Sequence, residues 1–199
     1  LVTYDTSTAE GLHAAAGFVK GWLEARDIDV EAHRFGDLHA LTAGVGPEGV
    51  PTIVFHGHLD IVPGRPEQFV PRVEGDRLYG RGAYDMKGGL ASMICAFRDV
   101  AAQDGVRVHF TCVSDEESEE IDDRASDRLV RTGYLGDFAI TGEPTDLHIG
   151  IQAKGVLAMR VEVTGTAAHG STPWVGDNAV LKAIDTFRQI ESLPFARES

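Results

Sequence analysis

The sequence predicts an α/β protein, a mostly parallel sheet with helices on both faces, followed by the beginning of a small α+β unit. Three observations lead there. Strand-like apolar runs alternate with helical periodicities from residue 12 to residue 142. The residues able to do chemistry gather directly after those runs. The pattern then changes near Ala153, where a two-faced alternation begins. We therefore expect a first domain over residues 1–152 and the start of a second, incomplete one over 153–199.

The elements follow in order. Leu12, Ala15, Ala16, Val19, Trp22 and Leu23 recur at helical spacing, with Ser7 or Thr8 as the N-cap. Ile28 to Phe35 alternates like a half-buried strand, and "HALTAGV" reads as the next one. "PTIVFHG" is a short continuous apolar run, the signature of a strand buried on both faces. A hairpin is expected around Gly75-Asp76. Leu90, Met93, Ile94, Phe97, Val100 and Ala101 return to helical spacing. "VRVHFTCVS" and "DFAITG" are the remaining buried strands. After Ala153, "GVLAMRVEVTG" reads as an antiparallel strand, and a helix carries Val180, Ala183, Ile184, Phe187 and Ile190 on one face.

Composition narrows the partners. The 199 residues are 43% hydrophobic, and 31 acidic against 18 basic residues give a net charge of −13. That charge repels nucleic-acid phosphates and anionic membrane surfaces. No apolar run is long enough to span a bilayer. Cys95 and Cys112 both lie in apolar stretches and read as reduced core residues. Reduced cysteines fit a cytoplasmic protein, which we expect. The chain begins at Leu1 and ends in "LPFARES", which closes no element, so a fragment is expected.

Four clusters carry donors suited to a borderline divalent cation: His56/His58/Asp60, Asp85, Glu116/Glu117 and Glu143. In an open α/β sheet, ligands collect beyond the carboxyl ends of strands, which is where these clusters fall. Alternate residues of a strand share a side, so Asp60 can hold the second imidazole nitrogen of His58. A satisfied histidine at a strand end is the alternative. In "GRGAYDMKGG" the glycines allow Asp85 to be thrust into a site, although a carboxylate before a helix also serves as a plain cap. Asp115 to Asp127 holds eight acids and one arginine. Most of these read as a solvated helix face. Glu116 and Glu117 come first, after a buried strand, where adjacent carboxylates repel unless a cation or proton intervenes. One could hold metal while the other acts as a base. A helix-loop-helix calcium site is excluded because the sixth position from Asp115 is Glu120 rather than glycine. No G-x-S-x-G elbow is present, and Cys112 sits mid-strand, so nucleophilic catalysis finds no support.

Together and in this order, "HGHLDIVP", "GRGAYDMKGGLA", "SDEES", "TGEPTD" and "GTAAHGSTPWVGDNAV" resemble the M20 family of metallopeptidases and amidohydrolases. The resemblance implies a two-metal hydrolase for an N-acyl amino acid or a small peptide, with "GEPTD" and "KG" leaning towards its deacetylase and desuccinylase branch. It implies Zn²⁺, two per complete site, with Co²⁺ or Mn²⁺ as substitutes. His58 and Glu143 would hold one ion, Glu117 the other, and Asp85 both. Asp60 would orient His58, and Glu116 would be the general base. His56 would be structural, pointing away from His58. His169 is similar to a histidine of the family's lid domain, which crosses a homodimer and stabilises the oxyanion. Two rivals are a non-catalytic binding or dimerisation module and a related zinc aminopeptidase.

One departure bears on activity. The family's second ion takes a further histidine from a later segment, and His13, His33, His39, His109 and His148 lie in no matching context. The residues that usually grip substrate are also missing from the sequence. We expect a chain of this length to bind one ion better than two and to turn over poorly.

Overall fold

Thr8 opens the first helix, α1 (Ala9–Glu24), its side chain accepting the Gly11 amide. Ala15, Val19 and Leu23 follow at four-residue spacing and are the helix residues that become buried. A computed structural model describes residues 1–36, 38–118, 123–152 and 159–193. The chain divides into two compact units, Leu1–Ile149 and Gly150–Ser199.

The first unit holds a five-stranded sheet built from β1 (Val30–Phe35), β2 (Leu38–Val45), β3 (Thr52–His58), β6 (Arg107–Val113) and β7 (Phe138–Thr141). Their spatial order is β1-β2-β6-β3-β7. β3 runs parallel to both β6 and β7, whereas β2 is antiparallel to both β1 and β6. The expected mostly parallel sheet is therefore a mixed one. The reason lies in connection length. β1 and β2 are joined across Gly36, at φ 69°, and so tight a turn can only return the chain antiparallel. β3 and β6 are separated by helix α2 (Gly88–Asp99), a crossover long enough for parallel pairing. The small hairpin pairs β4 (Arg72–Glu74) with β5 (Arg77–Tyr79) around Gly75-Asp76, as expected.

Helices cover both faces. Leu41, Ala43, Phe110 and Cys112 bury one face of the sheet under α1 and α2. Ala40 and Val113, one residue out of step with these, meet Ala125 and Leu129 of α3 (Ala125–Arg131) on the other face. Only the end of the acidic run is helical among the described residues, since α3 starts at Ala125 and residues 119–122 lie outside them. Both cysteines are free, but only Cys112 is a core residue, because Cys95 faces solvent on α2. β7 is exposed along its whole length.

In the second unit, Asn178 caps α4 (Ala179–Glu191) by accepting from the Val180 and Leu181 amides. Ile184 and Phe187 are exposed on it. The strand expected over "GVLAMRVEVTG" falls partly on residues 153–158, outside the described residues, and Met159 to Thr164 carry no strand pairing.

Candidate metal centre

Three strand ends and one helix start build the site. β3 ends on His58, which is 1% exposed, and Asp60 two residues on is 6% exposed. The His58 Nδ1 lies 3.0 Å from the Asp60 carbonyl oxygen and 3.4 Å from Asp60 Oδ1. Both neighbours are acceptors, so Nδ1 carries the donated proton and Nε2 is the nitrogen turned to the site.

Nε2 is buried and has no hydrogen-bond partner. Carboxylate oxygens surround it: Asp85 Oδ1 at 3.4 Å, Glu143 Oε1 at 3.7 Å and Glu116 Oε2 at 3.9 Å. Two overlapping groups share it, His58/Asp85/Glu143 and His58/Glu116/Glu117, each with its donor atoms within 4.8 Å of one another. One imidazole among four carboxylates fits a divalent cation, because an orphaned nitrogen and crowded negative charge are both satisfied by the same ion. No second histidine joins either group among the described residues.

The electrostatics agree with this crowding. Burial opposes charge on His58, but its hydrogen bonds to Asp60 and the Asp60 and Glu143 carboxylates outweigh it, and its pKa is pushed up to about 9. A proton thus answers the field that a cation would answer. Burial raises Glu117, with Asp85 and Glu116 adding to the shift. Burial also raises Glu143, against the opposing pull of His58.

Asp85 is delivered by an irregular turn over Ala83–Lys87, entered through Gly82 at φ 75° and containing a cis peptide between Asp85 and Met86. Met86 is fully buried, and its sulfur accepts the His58 amide at 3.4 Å. Lys87, buried beside it, donates to the Tyr4 carbonyl at 2.9 Å. Gly89 brings Asp85 and Glu143 together, because a Cβ there would stand 2.0 Å from the Gly142 carbonyl oxygen. Glycine lets the start of α2 press on the end of β7, one residue before Glu143. Periodicity carries no signal for this contact, although the paired glycines of "KGG" and "TGE" are visible.

His56 is set apart from the cluster, but not by pointing away. Two residues apart on one strand, His56 and His58 share a side by alternation. His56 instead lies deeper along β3, its Nδ1 2.8 Å from Thr111 Oγ1, and burial followed by the nearby His58 charge lowers its pKa. His169 belongs to the second unit, where its Nδ1 lies 2.8 Å from Ser171 Oγ and 3.2 Å from the Ser171 amide nitrogen. A cleft of about 590 Å³ adjoins the centre, with Ile61, Val62, Arg81, Tyr84, Asp85 and Glu117 in its wall.

The sequence profile of peptidase family M20/M25/M40 matches residues 54–193. The chain belongs to this family. A succinyl-diaminopimelate desuccinylase of Acidiphilium cryptum is 32% identical over 181 residues, covering 85% of this chain and 48% of that protein. A probable succinyl-diaminopimelate desuccinylase of Staphylococcus aureus is 29% identical over 186 residues, 87% of this chain and 45% of its own length. This M20-family chain thus spans about half the length of the curated relatives it matches. Among solved structures, a Staphylococcus aureus tripeptidase shares the fold with a TM-score of 0.60 at 20% identity, over 94% of this chain and 53% of that one. An M20 family metallo-carboxypeptidase of Sulfolobus solfataricus gives 0.59 at 22% identity, over 71% and 35%. No helix among the described residues of the M20 chain is long and apolar enough to cross a membrane.

Proposed function

We propose that the chain carries the metal-binding half of a two-metal amidohydrolase that cleaves an N-acyl amino acid or a small peptide. The observation that carries this reading is the buried, unpartnered His58 Nε2 facing the Asp85, Glu116 and Glu143 carboxylates. His58 and Glu143 would hold one ion and Glu117 the other, with Asp85 within reach of both. Zn²⁺ suits the mixed nitrogen and oxygen donors, and Co²⁺ or Mn²⁺ can replace it. When bound, the ions supply Lewis acidity to the scissile carbonyl and lower the pKa of water.

The remaining work falls to side chains. Asp60 holds the proton on His58 Nδ1 and so keeps Nε2 available. Glu116, exposed at the rim, takes the proton of the attacking water and returns it to the leaving amine. His169, on a lid that would pair two subunits, would reach across that dimer and stabilise the developing oxyanion in the partner subunit. The desuccinylase names among the relatives favour an acyl group that itself ends in a carboxylate.

Zinc uptake by the chain and by a Glu116→Gln variant tests this. Both should retain zinc on elemental analysis, and the variant should lose at least about 100-fold in any turnover of N-succinyl or N-acetyl amino acids. A chain that takes up no zinc refutes the metal centre, and unchanged turnover in the variant refutes the base.

A further inference from the structure

Arg124 is the single cation of the acidic run from Asp115 to Asp127. Among the described residues its guanidinium forms no ion pair with those acids. It folds back onto the backbone of the turn that follows β6. Nη1 donates to the Asp115 and Glu116 carbonyls, and Nη2 donates to the Ser118 carbonyl at 2.8 Å. A planar fork with several fixed donors can gather three carbonyls at once, which an ammonium cannot. A second tie runs beside it. Asp115 is 2% exposed, and its Oδ2 accepts the Ala125 amide at 2.7 Å at the start of α3. On the far side of the turn, the Glu117 amide donates to Asp60 Oδ2 at 2.7 Å.

The turn is thus gripped by α3 on one flank and by Asp60 on the other. Its two adjacent carboxylates would otherwise swing apart under mutual repulsion. We infer that Arg124 is a positioning residue that holds the Glu116–Glu117 turn against the metal centre. This rests on the metal-binding reading above. The carbonyl-binding fork, rather than the charge alone, does the holding.

Cobalt(II) titration of the 199-residue chain, followed by visible absorption, tests it. Arg124→Met should weaken cobalt binding about tenfold, within the range that supporting partners of metal ligands command. Arg124→Lys should recover part of the loss. The same two substitutions placed in a Glu116→Gln/Glu117→Gln background should change cobalt binding little, because Arg124 then has no ligand to position. An equal loss in both backgrounds means a merely structural role and overturns the inference, as does full affinity in Arg124→Met. If Arg124→Met fails to fold, Arg124→Lys in the two backgrounds gives the same comparison. A parent chain that binds no cobalt overturns the metal-binding reading itself, and this inference with it.

Discussion

Asp60 and Glu117, 57 positions apart in the chain, meet through one hydrogen bond of 2.7 Å from the Glu117 amide to Asp60 Oδ2. The other oxygen of the same carboxylate stands 3.4 Å from His58 Nδ1. Asp60 therefore couples the donors at the end of β3 to those that follow β6. Asp60→Asn keeps one acceptor and should weaken zinc or cobalt binding by about 10-fold or more. Asp60→Ala leaves the Glu117 amide without this acceptor and should also cost about 1–3 kcal/mol of stability. Metal titration and urea denaturation check the two effects separately.

Stability without metal should depend on pH through His58. Its folded pKa, about 9, lies above the ordinary 6.5, so the native state binds this proton more tightly than the unfolded chain does. The stability this contributes is fully present below pH 6.5 and is lost as pH rises through 9. Urea midpoints of chelator-treated protein should fall across that window, and His58→Gln should flatten the slope. A midpoint that rises there contradicts the assignment.

Zinc binding should run the other way with pH. Zinc takes the neutral imidazole, so loading the centre near neutral pH expels about one proton from His58. Affinity should increase from pH 6 upward, and calorimetry in buffers of different ionisation enthalpy should register the released proton.

Two glycines should differ sharply on substitution. A Cβ at Gly89 would stand 2.0 Å from the Gly142 backbone oxygen, which cannot move without shifting Glu143. Gly89→Ala should lose metal binding and at least about 2 kcal/mol of stability. A Cβ at Gly57 would meet only side-chain ends, Leu90 Cδ1 at 3.0 Å and the Met86 and Met93 Cε atoms at 3.1 Å. Gly57→Ala should be the milder change, by comparison of urea midpoints.

Alkylation should tell the two cysteines apart. Cys95 is exposed, whereas Cys112 is buried and burial pushes its thiol well above the usual range. Iodoacetamide should label Cys95 in the native protein and reach Cys112 only after denaturation, as read by intact mass.

Much of this was legible from local pattern. The spacing of Ala15, Val19 and Leu23, the run ending at His58, and the turn at Gly75-Asp76 each declare an element from neighbours alone. So does the placement of His58 at the end of a strand and of Glu116, Glu117 and Glu143 just beyond strands, because strand length and breakers are local properties. His56 takes the same side as His58, as alternation dictates and against the expectation above, and Cys95 lies at the surface because an apolar neighbourhood does not fix which helix face a residue takes.

What the sequence by itself determined is the list of elements and the donors each one carries to its end. Only the tertiary structure decided which strands are neighbours, that β2 inserts antiparallel beside β6, and that His58 Nε2 is the orphaned nitrogen. It also decided that Gly89 presses on Gly142, that Asp60 serves both His58 and Glu117, and that Arg124 grips the backbone of the turn after β6. The physical reason is the range of the interactions. Periodicity and capping act within a few residues, whereas strand pairing, close backbone approach and the field at a buried nitrogen are set by groups that only folding brings together.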